Sequence, residues 1–184
     1  MSFEVLKTEQ IYPGRAFNVR RDTLCLPDGR ETRLDIVDHI GSVVILPIEQ
    51  NGQLIFIRQY RHAAGKDLLE LPAGTLDLGE LPEICAHREL REETGMAAGR
   101  MELLGGFFLA PGYSTEFMQV YLATDLHHDP LEADADEFLS VERIALAEVF
   151  ALSDRGEILD AKSLAAFYLA RKHLEKLGSN PKYL

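Results

Sequence analysis

The sequence predicts a layered α/β (α+β) domain that carries a small antiparallel sheet at its N-terminus. Three observations lead there. Apolar, β-like stretches recur at 42–48, 54–60, 101–108, 117–124 and 138–144. Two breaker-free segments, 82–94 and 160–177, have helical character, and turn signals divide the first 39 residues into three short stretches. A length of 184 residues suits one domain with a modest attachment, and no internal repeat or low-complexity segment is visible.

The stretches 3–11, 16–26 and 32–39 are separated by Pro13-Gly14 and by Pro27-Asp28-Gly29, which predicts a three-strand antiparallel sheet. So few residues cannot supply a core of their own. Residues 1–39 are therefore expected to form an extension that packs on the remainder, 40–184, or on a second subunit. The nearly continuous apolar run at 42–48 predicts a strand covered on both faces, and Asn51-Gly52 supplies a hairpin turn into 54–60. Over 82–94 a helix is predicted, with Pro82 at its first position and Gly95 where a left-handed cap belongs. Leu81 breaks a local rule there, because Ser, Thr or Asp usually caps a helix N-terminus. An acidic loop, 127–137, separates the last two strands. The closing helix, 160–177, places Leu164, Phe167, Tyr168, Arg171, Leu174 and Leu177 at helical spacing, which reads as a core-packing stripe.

Composition narrows the partners. Lys plus Arg number 19 against 30 Asp plus Glu, a formal charge of −11, so nucleic acid and anionic membranes are not expected partners. Any phosphate-bearing ligand then needs cations, and bound metal is the natural source. The N-terminal residues lack a signal pattern and no run approaches the ~18 apolar residues of a membrane span, so a cytoplasmic location is expected. Cys25 and Cys85 show neither CxxC spacing nor a neighbouring His cluster and read as free thiols.

Chemistry concentrates in residues 74–96, where Glu89, Glu92 and Glu93 share one helix face at i, i+3 and i+4. Most such clusters are solvated acidic faces. These three, however, occupy the last turn, where the macrodipole is negative, and the i, i+4 pair adds ~0.2–0.5 kcal/mol of repulsion. A hard divalent cation with oxygen ligands, Mg²⁺ or Mn²⁺, would offset that repulsion and leave positions open for water and phosphate.

Gly74, Glu80, Arg88, Glu89, Leu90, Glu92, Glu93, Gly95 and Met96 fit, without exception, a Gly-x5-Glu-x7-Arg-Glu-aliphatic-x-Glu-Glu-x-Gly-aliphatic pattern. A chance match is below about one in a million at ordinary residue frequencies. On this pattern the chain resembles the Nudix hydrolases. The resemblance implies an α/β/α sandwich with a mixed sheet, and a loop-helix-loop that holds divalent metal and hydrolyses a diphosphate linked to another moiety. Carried onto this chain, it makes Glu89 and Glu93 metal ligands, Glu92 a further ligand directly or through water, and the Ala73 carbonyl a backbone ligand. Arg88 would orient the glutamates rather than touch substrate. Glu137 is the expected general base or additional ligand, because it immediately precedes the strand at 138–144, while Glu132, Asp134 and Asp136 sit further into the loop. A merely solvated loop is the alternative, and His127-His128 at its start read as exposed.

Pro111, sixteen residues after Gly95, resembles the ADP-ribose pyrophosphatase subfamily, although Pro-Gly turn chemistry alone accounts for the dipeptide. The segment Arg58-Gln59-Tyr60-Arg61 and the N-terminal extension point the same way. By that resemblance Arg61 contacts the diphosphate, while Glu116 and the backbone of Ala110, Pro111 and Gly112 contact the ribose or sugar side. Tyr12 could stack on a nucleobase or be one more sheet aromatic. The subfamily often carries another Arg near 34–39, where this chain has Leu-Asp-Ile-Val-Asp-His after Arg33. That departure leaves other nucleoside diphosphate sugars, GDP-mannose among them, as candidates. The resemblance also implies a homodimer that shares the N-terminal sheet. Two alternatives stay open: a catalytically silent module that senses nucleotide sugars, and a nucleoside triphosphate pyrophosphatase. Neither a GxSxG nor a GxxxxGK motif is present.

Overall fold

The computed structural model describes residues 2–132 and 138–178. The chain divides into two compact units, Met1–Gly41 with Phe107–Met118, and Ser42–Gly106 with Gln119–Leu184. The first contains the antiparallel sheet β1-β2-β3, built from β1 (Glu4–Pro13), β2 (Asn18–Cys25) and β3 (Glu31–Asp38). Both predicted turns fall where expected. Gly14 cannot be replaced freely, since an added Cβ would lie 2.4 Å from the Phe17 carbonyl oxygen and 2.8 Å from the Tyr12 ring. The segment around Pro111 is stitched to the end of β3: the Val37 N–H donates to the Tyr113 carbonyl at 2.7 Å, and the Thr115 N–H donates to the Val37 carbonyl at 3.0 Å. The Thr115 hydroxyl accepts the His39 N–H at 2.8 Å, which fixes this loop on its own unit.

The second unit is built on β4 (Ser42–Pro47), every residue of which is buried. Alternation along β4 hands Val43 and Ile45 to one face and Val44 and Leu46 to the other. On the first face α1 (Pro82–Thr94) lays Cys85, Ala86 and Leu90 into a cluster with Val43, Ile45, Ala98, Tyr121 and Ala123. The helix α3 (Ala161–Gly178) also packs on β4, so the strand is covered as its sequence predicts. Two sheets surround this arrangement. One has the order β7-β4-β9-β8, with β7 (Ala73–Thr75), β8 (Met96–Phe108) and β9 (Phe117–His128). The other has the order β10-β5-β6, with β5 (Gln53–Arg61), β6 (Lys66–Glu70) and β10 (Leu139–Ala145). The mixed α+β class is therefore the one the sequence predicts.

Four local expectations need correction. β6, β7 and the helix α2 (Leu146–Asp154) have no counterpart in the sequence reading, because each is short and lacks a strong periodic signal. β8 begins at Met96 rather than 101, since the left-handed Gly95 (φ 72°) turns the chain directly from helix into strand. β9 continues through His128, so the histidine pair ends a strand instead of opening a loop. Finally, the buried face of α3 is Lys162, Ser163, Ala166, Ala170 and Leu174, whereas Leu164, Tyr168 and Arg171 are exposed. Small residues let the helix approach β4 closely, and Arg171 instead covers the Tyr168 ring at 4.7 Å. Phe167 still meets Phe56, with ring centroids 5.9 Å apart.

Both cysteines are free, Cys85 buried and Cys25 partly so. Among the described residues no helix is long and apolar enough to cross a membrane.

The α3 assignment predicts unequal responses in urea unfolding. Ala166→Leu overpacks the β4 face and should destabilise by about 1–3 kcal/mol, while Leu164→Ala should cost under about 1 kcal/mol. The reverse order would return Leu164 to the core.

Candidate active site

α1 starts without a side-chain cap at Leu81, as its sequence suggests, and Pro82 occupies the first turn. Immediately upstream, the Glu80 carboxylate accepts the Asp77 N–H at 2.9 Å and closes the preceding loop. The helix ends at Gly95, whose N–H donates to the Arg91 carbonyl at 3.1 Å. The segment after β9 docks on that end: the Asp129 N–H donates to the Gly95 carbonyl at 3.1 Å, and Arg91 Nε donates to the Asp129 carbonyl at 2.9 Å. The acidic segment is thus anchored at its start. Glu132 is exposed, and Asp134, Asp136 and Glu137 lie outside the described residues.

Arg88 organises the carboxylates. Its Nε and Nη2 grip Glu80 at 3.0 and 2.8 Å, and its Nη1 reaches Glu89 at 2.6 Å and Glu92 at 2.9 Å. A guanidinium fork suits this task because its donors are planar and fixed. The contact has electrostatic consequences. The Arg88 hydrogen bond holds the Glu80 carboxyl down at about 2, and Glu80 in turn raises the already high pKa of Arg88. Burial pushes the nearby Cys85 thiol up, so it is no nucleophile at neutral pH.

Glu93 is only 3% exposed and Glu89 only 8%. The Glu93 carboxylate accepts the Ala73 N–H at 2.9 Å, tying α1 to β7. Gly74 makes the close approach possible, because a Cβ there would lie 1.9 Å from the Glu89 carboxyl carbon. Ala73, Arg88, Glu89, Glu92 and Glu93 are thereby gathered in one place. The donor set is all oxygen, and Arg88 is the shared cation among Glu80, Glu89 and Glu92, so the local chemistry fits a hard divalent cation. Arg88 occupies carboxylate oxygens in this arrangement, and among the described residues no group of three or more His, Cys, Asp or Glu is converged as a metal cage.

The other predicted residues are distributed differently. Arg61, at the end of β5, is engaged by Glu70 through two hydrogen bonds of 2.9 and 2.6 Å. Tyr12, half-exposed on β1, and the turn Ala110-Pro111-Gly112 with Glu116 belong to the first compact unit. Within that unit the Ser114 N–H donates to the Ala110 carbonyl at 2.9 Å and the Glu116 N–H to the Ser114 hydroxyl at 3.1 Å. Residues missing from the sequence reading are Glu70, Asp160, Lys162 and Ser163, which form a buried polar cluster with Arg61. One signal was available for them: Asp160 and Ser163 have the spacing of a helix N-cap and its third residue.

Comparison with known proteins agrees with this geometry. Residues 38–167 match the NUDIX domain. The chain is 34% identical over 172 residues to the ADP-ribose pyrophosphatase of Bacillus subtilis (strain 168), covering 92% of this chain and 93% of that one. It is 38% identical over 172 residues to the ADP-ribose pyrophosphatase of Mycobacterium tuberculosis (strain H37Rv), covering 89% and 80% respectively. A crystal structure of an ADP compounds hydrolase superposes with a TM-score of 0.86 at 28% identity, over 98% of both chains. The chain belongs to the NUDIX family.

The depressed Glu80 pKa gives a pH prediction. Its carboxylate contributes stability in full above its ordinary value of 4.5, and that contribution is lost as pH falls toward about 2. Wild type should therefore exceed Glu80→Gln in denaturant stability at neutral pH, with the margin closing below about pH 4.5. A margin independent of pH would refute the Arg88–Glu80 pairing.

Proposed function

We propose that this protein hydrolyses the diphosphate bond of ADP-ribose or a related nucleoside diphosphate sugar, giving a nucleoside monophosphate and a sugar phosphate. The observation that carries the reading is the complete Gly74–Met96 pattern folded so that Glu89, Glu92 and Glu93 crowd Arg88 and the Ala73 backbone. Relatives named for ADP-ribose hydrolysis, matching over most of both chains, support the substrate class.

In this reading Glu89, Glu92, Glu93 and the Ala73 carbonyl hold Mg²⁺ or Mn²⁺, which neutralises diphosphate charge and acidifies water. Arg88 keeps the glutamates apart and oriented. Arg61 meets the diphosphate with the guanidinium edge not engaged by Glu70. Glu137, two residues before β10, serves as general base, and Tyr12 with Glu116 and the 110–112 backbone serves the nucleoside or sugar. Residues 1–39 act in dimerisation. The exposed Phe3, Val5, Ile11 and Phe17 of this segment support that role, because a second subunit would remove them from water. The −11 charge speaks against nucleic-acid or membrane partners.

The test is phosphate release, coupled to a phosphatase, from ADP-ribose, GDP-mannose, UDP-glucose, diadenosine polyphosphates and nucleoside triphosphates, with Mg²⁺, Mn²⁺ or EDTA. Turnover should need metal and peak on ADP-ribose or another nucleotide sugar. Glu93→Gln should lower kcat by about 10²-fold or more, and Glu137→Gln should lower kcat with little change in KM. Binding without turnover across the panel would favour a sensor, and near-normal Glu93→Gln rates would remove the metal assignment.

A further inference from the structure

The first turn of α3 is more polar and more buried than helix packing requires. Asp160 caps it, accepting the Ser163 N–H at 3.0 Å and the Ser163 hydroxyl at 2.5 Å. That hydroxyl also accepts the Leu71 N–H at 2.8 Å, although 92 residues separate the two. Lys162, 8% exposed, pairs with the carboxylate of Glu70, itself 1% exposed, and with Asp160 at 3.0 Å. The same Glu70 holds Arg61 by two hydrogen bonds. Burial alone would raise the Glu70 pKa, but Arg61 and Lys162 outweigh it and keep the group ionised.

The segment from Glu70 to Ala73 therefore has two anchors. At one end α3 grips Glu70 and the Leu71 backbone. At the other, the Ala73 N–H grips the Glu93 carboxylate, and the Pro72 carbonyl between them accepts the Ile45 N–H at 2.8 Å.

A buried Lys–Glu pair is expensive to desolvate, and apolar residues of similar volume often stabilise a fold as well or better. Its placement suggests a different use. Glu70 Oε2 is shared by Lys162 and Arg61, so Lys162 holds from behind the carboxylate on which the Arg61 fork rests.

We propose that Lys162 is a positioning residue for diphosphate recognition: by holding Glu70 it fixes the orientation of the Arg61 fork toward substrate. The proposal rests on the reading that Arg61 meets the diphosphate.

It is tested with full-length Lys162→Met, Lys162→Met/Glu70→Gln and Arg61→Gln variants, measuring kcat and KM for ADP-ribose with Mg²⁺ alongside thermal unfolding. The double variant guards against misfolding, because it removes both buried charges. Lys162→Met should raise KM about tenfold or more with a smaller change in kcat, and the double variant should unfold near the wild-type temperature yet keep the raised KM. A double variant with wild-type KM would overturn the proposal, reducing Lys162 to a counter-ion for Glu70. So would a normal KM in Lys162→Met beside a raised KM in Arg61→Gln. A normal KM in Arg61→Gln would instead overturn the diphosphate role of Arg61, and the proposal with it.

Discussion

Three carboxylates, Glu80, Glu89 and Glu92, gathered on the Arg88 guanidinium, with Glu93 beside them, are the constraint on which the site depends. Glu89, Glu92 and Glu93 sit where the helix dipole is already negative, and two of them are nearly excluded from water. Such a cluster would spread apart if the helix were free to move. The apolar contacts of Cys85, Ala86 and Leu90 with Val43 and Ile45 prevent that by fixing one helix face on β4. Arg88 then balances part of the charge, linking Glu80 before the helix to Glu89 and Glu92 within it. The excess of negative charge that remains is the chemical reason a divalent cation suits the place.

Backbone closeness completes the arrangement. β7 runs so near the helix that Gly74 has no room for a side chain, and Ala73 donates its N–H to Glu93. The far end of α1 is closed by the 129–131 segment, which docks on Gly95 and Arg91 and so starts the acidic loop from a fixed point. Helix, strand and loop are tied at three places by short polar contacts, while the apolar core sets their distance.

Legibility in the sequence followed the range of the interactions. α1 and its ends could be read because Pro82 and Gly95 act locally, and the glutamate spacing is a property of one helix. β4 was equally plain, since an unbroken apolar run announces burial on both faces. The buried face of α3 was not. Leu164 and Tyr168 make the more hydrophobic stripe, but the small residues Ser163, Ala166 and Ala170 fit the space beside β4, and a charged Lys162 accompanies them inside. Hydropathy places a lysine at the surface. The partner Glu70, 92 residues away, together with Asp160, reverses that preference. The pairing of Arg61 with Glu70 is hidden for a related reason: Arg61 stands opposite Lys66 and Glu70 opposite Ile57, so the contact reaches four positions along a pairing whose second strand, β6, gives no periodic signal.

The central claim, that the α1 carboxylates form a divalent-cation site, is tested most directly without substrate. Mn²⁺ added to the apo-protein can be followed by the loss of its free-ion electron paramagnetic resonance signal. Saturable binding is expected, displaced by Mg²⁺ and abolished by Glu89→Gln together with Glu93→Gln while the fold persists. Mn²⁺ binding of unchanged affinity in that double variant would contradict the claim, and would place the metal elsewhere on the chain.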